Sequence, residues 1–268
     1  MAITVYPPYG ASTNPSNVIT NNESILALPP YMQVARGFVT GASVVNIYGY
    51  QLALPNSSGA TYYPVWENTT AYTYPVSATT MLLWSSSGSD TNVSVLINGL
   101  DASYNQISET LVLTNGTTGV TTVNSYLRIN GIQITGSVNA VGILNIGNAG
   151  KTIKYAEIDV GYGKSQMTIY TVPNGYTFYL TRSNAYSSLT GNTALNYSNY
   201  RVYTQSSTGL VQILLQAPFA ISYQTMRVAP RAYTQKTDIQ WQISGNPASG
   251  TSSVSIGVEG ILISNTAS

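Results

Sequence analysis

No stretch of this sequence keeps a sustained helical period. Apolar residues instead recur at every second position in short runs closed by Gly, Ser, Asn or Pro, the pattern of β-strands with one buried face. In "VSVLINGLDASYNQISETLVLTNGTTGV", Val93, Val95 and Ile97 alternate with Ser94, Leu96 and Asn98. Turn residues follow from Gly99 to Gln106, and on the return Ile107, Leu111 and Leu113 share a face with Glu109. A period of two on both sides of a short polar loop predicts an antiparallel hairpin. The turn "NGTTG" and the run "VTTVNSYLRINGIQI" then predict a third strand, with a meander as the simplest topology.

The second half continues in this style. "SQMTIYTVPNGYTFYLTRS" reads as strands on either side of Pro173-Asn174-Gly175, where the Asn-Gly pair supplies positive φ. "GLVQILLQ", "TDIQWQISG" and "SSVSIGVEGILIS" follow; Ile239, Trp241 and Ile243 face one way, Asp238, Gln240 and Gln242 the other. Short strands at this spacing predict an all-β chain of antiparallel, jelly-roll-like β-sandwiches.

Proline divides the chain. Eight of the 12 prolines fall between Pro7 and Pro75, which prevents long helices and interrupts central strands. Residues 1–75 therefore read as an extended arm with short strands, and an irregular part of the main domain is the other reading. The glycines at Gly161 and Gly163 suggest a boundary that divides the rest into sandwiches at 76–160 and 161–268; one continuous sandwich is the alternative.

Only 7% of residues are charged, against about a quarter in ordinary domains. The net charge of +1 gives no electrostatic footprint for nucleic acid, and no apolar run reaches the ~20 residues of a membrane span. Such a surface repels its own copies little. Tyrosine dominates the aromatics, 22 against 3 Phe and 3 Trp, which suits half-exposed sheet faces and interfaces as well as strands. The start, "MAITVYPPYGAST", has no basic segment followed by an apolar one, so no secretory signal is expected.

The chain has no histidine and no cysteine. Imidazole bases, Ser-His-Asp triads, thiol nucleophiles and zinc sites are excluded with them. Carboxylate pairs remain: Asp101 with Glu109 across one hairpin loop, and Glu157 with Asp159 on one strand face. Either could serve as a glycosidase-type pair or bind Ca²⁺, but solvated turn and strand positions are the commoner use of such residues. No catalytic residue, cofactor or metal site is predicted. Six Asn-x-Ser/Thr sequons, the first at Asn22 and the last at Asn196, are what an Asn-, Ser- and Thr-rich composition generates by chance.

The stretch from Ile97 to Asn130 resembles a hairpin motif of virion structural proteins of tailed bacteriophages. The resemblance runs through Gly99-Leu100-Asp101, Ser108-Glu109-Thr110 and Leu127-Arg128-Ile129, and extends to "YPVSATTMLL", "YTVPNGYTFYLT" and "GVEGILI". It implies a capsid decoration (cement) or head-fibre protein on the virion exterior, made in the host cytoplasm. Its implied partners are the major capsid protein and copies of itself, as a homotrimer. On that reading the arm supplies interface residues, with Tyr6, Tyr9, Tyr31 and Arg36 as candidates. The alternative is a receptor- or glycan-binding fibre module, in which Tyr186, Tyr197, Tyr200 and Tyr203 of "NAYSSLTGNTALNYSNYRVY" stack on sugar rings. A cell-surface filament or surface-layer subunit is a third reading.

Overall fold

A computed structural model describes residues 29–55, 61–68, 70–188, 197–244 and 251–266. In chain order these hold α1 (Pro30–Ala35), β1 (Ala42–Pro55), β2 (Tyr63–Pro64), β3 (Leu82–Ser85), β4 (Val93–Leu100), β5 (Gln106–Leu113) and β6 (Val120–Thr121). Then come β7 (Arg128–Ile134), β8 (Leu144–Gly147), β9 (Lys154–Ile158), β10 (Ile169–Thr171), β11 (Tyr176–Ser187) and β12 (Ser198–Gln205). The last four are β13 (Val211–Phe219), β14 (Ser222–Tyr233), β15 (Asp238–Ser244) and β16 (Thr251–Ser264). All the ladders are antiparallel, so the chain is all-β as its periodicity predicts. Among the described residues helix α1 is the one short exception, started by Pro30 at its first turn, where the missing N–H costs nothing.

The outer strands pair in a nested order. β1 pairs with β16, β2 and β10 with β15, β11 with β14, and β12 with β13. This is one long hairpin rolled up. Two more pairings, β11 with β16 and β12 with β15, close it into two sheets. Sheet β1-β16-β11-β14 and sheet β10-β15-β12-β13 form a jelly roll. Phe178, Trp241, Ile239, Ile243, Val254 and Ile256 fill its interior. Trp241 and Ile239 are the residues that the alternation in "TDIQWQISG" assigns to the core.

The jelly roll's second strand is cut in two. Tyr63 and Pro64 pair with Ile243 and Gln242, while Ile169 to Thr171 continue along the same strand opposite Gln240 to Asp238. Residues 66–168 are let into the cut. Thr168 closes it: its N–H donates to the Val65 carbonyl at 2.8 Å, and its hydroxyl accepts from the Val65 N–H at 2.9 Å. Packing changes domain within one residue on both crossings, since Val65 and Tyr170 belong to the jelly-roll core and Trp66 and Ile169 to the other. Neighbouring β1 carries Gly49 at this point, where any Cβ would lie 2.3 Å from the Val65 carbonyl oxygen.

The insert is a second sandwich, of sheets β6-β3-β8-β9 and β5-β4-β7. Val93, Val95, Ile97, Leu111 and Leu113 are buried in it, as their alternation predicts. Three expectations are corrected. The third strand does not extend a meander: after β5 the chain crosses to pair β6 with β3, then returns so that β7 lies on the far side of β4. The proline-rich segment is not an arm throughout, because residues 42–55 form a long strand of the jelly roll with Leu54 fully buried; prolines at its end and beyond it leave its interior free to pair. The packing also divides the chain at 65/66 and 169/170, in place of 75/76 and 160/161, because Met167 and Ile169 beyond the glycines still pack into the insert.

Candidate functional site: the domain junction and the open edge

β15 is buried on both faces. Behind the core residues, Asp238, Gln240 and Gln242 form a polar ladder, and their opposite numbers on β12 are Gln205, Tyr203 and Arg201. Buried polar groups need partners, and here the insert supplies the main one. Arg128 donates from Nε and Nη2 to the two carboxylate oxygens of Asp238, both at 2.8 Å. Its Nη1 donates to the Pro75 and Leu127 carbonyls, and its guanidinium lies 4.5 Å from the Tyr74 ring centre. Asp238 also accepts from the Thr171 hydroxyl at 2.6 Å. Burial works against the charge on Arg128, but the Asp238 carboxylate outweighs it and holds its pKa above the ordinary value. A two-pronged buried pair of this kind fixes angle as well as distance.

The hairpin loop makes the second tie. The Asn174 N–H donates to the Tyr104 carbonyl at 2.8 Å, and the Asn174 amide to Asn105 at 3.2 Å. Asp101 shapes that loop by accepting from the Ser103 and Asn105 N–H groups. Desolvation opposes its ionisation, yet these bonds and the Asn105 side chain hold its pKa below the ordinary value. Asp101 and Arg128, both within the motif resembling virion proteins, thus stand on the insert's side of the domain junction, facing Asn174 and Asp238.

The carboxylates proposed as pairs are engaged separately. Glu109 lies in β5 opposite Ile97 and accepts from the Val123 and Asn124 N–H groups, while Asp101 serves its own loop. Glu157 is buried and paired with Lys154. Among the described residues, no group of three or more acidic, His or Cys side chains is placed to hold a metal ion. One acid escapes the sequence pattern. Glu67, at the insert's entry, accepts from the Gln166 N–H at its exit, while its other oxygen is buried without a partner. Burial, with Asp159 and Glu157 nearby, pushes its pKa up to about 8.

The tyrosine cluster is dispersed by strand parity. Tyr200 points into the jelly-roll core with no exposed surface and stacks on Tyr223, so it is unavailable to a glycan. Tyr203, of opposite parity, joins the outer face of the polar ladder. Tyr186 and Tyr197 are exposed where β11 ends and β12 begins. Of the interface candidates, Tyr31 is exposed on α1, Arg36 caps that helix with its guanidinium 4.9 Å from the Phe38 ring centre, and Tyr6 and Tyr9 lie outside the described residues.

The two edges of the jelly roll differ. One is closed by the chain crossings into the insert, but among the described residues no strand pairs with the outer edge of β13 or of β14. Leu210, Val211, Ile213, Met226 and Val228 are exposed along it, Met226 by 76%. β14 bulges here, with Arg182 opposite Met226 and Leu180 opposite Arg231, so Arg227 to Pro230 have only Thr181 across from them. Unpaired edges carrying apolar side chains are templates for association.

No family model matches the sequence, and the search of curated proteins gives no match. Among solved structures the similarity is faint. Over 88% of this chain and 78% of the other, it is 10% identical to a structure of infectious bursal disease virus Gt strain, with a TM-score of 0.19. A mutant VP2 protein of infectious bursal disease virus, from derived T=1 particles, is 8% identical over 88% of this chain and 84% of the other, with a TM-score of 0.13. No helix among the described residues is long and apolar enough to cross a membrane.

Proposed function

We propose that this chain is a structural component of a virion, a decoration or cement protein on the capsid exterior of a tailed bacteriophage. It acts through contacts with the major capsid protein and with copies of itself, and it carries out no catalysis. The observation that carries this reading is the open β13–β14 edge. Its strands are long, its exposed side chains are apolar, and in a chain of net charge +1 little electrostatic repulsion opposes a neighbour. The motif resembling virion proteins supports it, because Asp101, Glu109 and Arg128 all serve geometry: one shapes a loop, one holds a crossing and one locks two domains together.

The insert's role in this reading is to project from the jelly roll at a fixed angle. Cryo-electron microscopy of purified particles carrying the chain tests the proposal. Density in many symmetric copies over capsomer junctions is the expected result. A few copies at a tail or vertex would favour the fibre reading, and none on the particle would refute both.

A further inference from the structure

The polar ladder extends beyond the Arg128–Asp238 pair. Past it, the outer face of β12 and β15 opens into a cleft of about 320 Å³ lined by Tyr62, Tyr74, Tyr203, Gln205, Gln240 and Gln242. The tyrosines form the walls. Gln240 and Gln242, almost fully buried, form the floor.

Hydrogen bonding across this floor runs in one direction. Arg201 lies 3.8 Å from the Tyr62 ring centre and donates from Nε to Gln242 Oε1 at 2.6 Å. Gln242 Nε2 then donates to Gln240 Oε1 at 2.6 Å. The chain ends at Gln240, whose side chain faces Tyr74. The Gln240 side chain bears on the Tyr74 hydroxyl, which is buried and has no other partner among the described residues. Gln205, directly across from Asp238, makes no side-chain hydrogen bond among the described residues. A buried hydroxyl and two amides therefore converge between aromatic faces. Buried polar groups left open in this way call for a partner.

The chemistry of that partner is restricted. Asp238 is neutralised by Arg128, and Arg201, held by Gln242 and the Tyr62 ring, does not line the cleft, so the lining itself offers a charged ligand no counter-ion. The aromatic walls want flat apolar surface, and the amides want groups that both donate and accept. A sugar ring meets both demands, with C–H faces to stack on tyrosine and adjacent hydroxyls to bridge an amide. A polyproline peptide also stacks on tyrosine, but its carbonyls only accept and leave the Gln205 carbonyl unanswered. The volume is at the small end for ligand sites, which suits a terminal sugar residue.

We propose that this cleft binds the terminal residue of a neutral saccharide, with Tyr203 as the stacking wall and Gln205 and Gln240 holding its hydroxyls. The test is an array of neutral oligosaccharides (α- and β-glucans, β-galactosides and N-acetylglucosamine oligomers) probed with the full chain. Titration calorimetry on the strongest binder follows. Tyr203→Ala and Gln205→Ala each weaken binding at least tenfold, with unchanged thermal melts. Tyr186→Ala and Tyr197→Ala leave it intact. Gln205 lies on the outer face, so its variant stays informative if Tyr203→Ala disturbs the sheet. The proposal falls if no array member binds or if binding survives both cleft variants. It falls equally if binding is lost with Tyr186 or Tyr197, or if only a proline-rich peptide occupies the cleft.

Discussion

The insert and the jelly roll that surrounds it are both two-layer sandwiches, but their strands find partners over very different distances. In the insert, β4 turns directly into β5 and β8 into β9. In the jelly roll, β1 waits for β16, the last strand of the chain, and β2 and β10 wait for β15. Local pairing closes small loops and forms early, whereas non-local pairing must meet the entropy of long loops before any contact rewards it. The comparison predicts a self-sufficient insert and a jelly roll that fails as a whole when one distant strand is missing.

The largest expected effect tests that asymmetry. Removing residues 1–55 deletes β1 and abolishes the jelly roll's cooperative melt, whereas residues 66–169 expressed alone still melt cooperatively by circular dichroism. Collapse of the isolated insert would contradict the comparison. Next, Trp241→Ala opens a cavity in the jelly-roll core alone and costs about 3–5 kcal/mol, read as a lower denaturant midpoint with the insert's hairpin amides still protected in hydrogen exchange. Equal loss of protection in both domains would show one cooperative unit.

Two smaller perturbations act on the junction. Arg128→Ala leaves the Asp238 carboxylate buried without its counter-charge, a change that costs about 3 kcal/mol or more and separates one melting transition into two. A single, merely shifted transition would mean that the hairpin loop suffices to couple the domains. Glu67 acts through pH. Its carboxyl, raised from 4.5 to about 8 in the fold, holds a proton that the unfolded chain has already lost, so stability falls as pH rises through that window. Glu67→Gln flattens the fall, and the variant melts higher than the parent at pH 8. An identical pH profile in the two proteins would remove Glu67 from the account.

The same contrast decides what the sequence reveals. Alternation reports which side chains face inward, and it places Val93, Val95, Leu113, Ile239 and Trp241 correctly. It does not report which strand lies alongside. The jelly roll's nested pairings therefore stay hidden, as does the return of β7 beside β4. The Arg128–Asp238 pair is invisible for the same reason, since 110 positions separate its members. Parity carries more than clustering does. In "SNYRVYTQ", Tyr200 shares a face with Val202, and Tyr203 with Arg201, so the odd-numbered tyrosine is the accessible one. The polar ladder had a signal too: three uncharged or paired polar residues alternate with Ile, Trp and Ile in β15, a strand too apolar on one side to leave the other in water.

The proposed function rests on contact across the β13–β14 edge. Sedimentation velocity on the full chain at micromolar concentrations, beside a Met226→Asp, Val228→Asp double variant, tests it most directly. The account predicts a concentration-dependent oligomer for the parent and a folded monomer for the variant. A parent that stays monomeric at every concentration, or a variant that associates equally well, would contradict it.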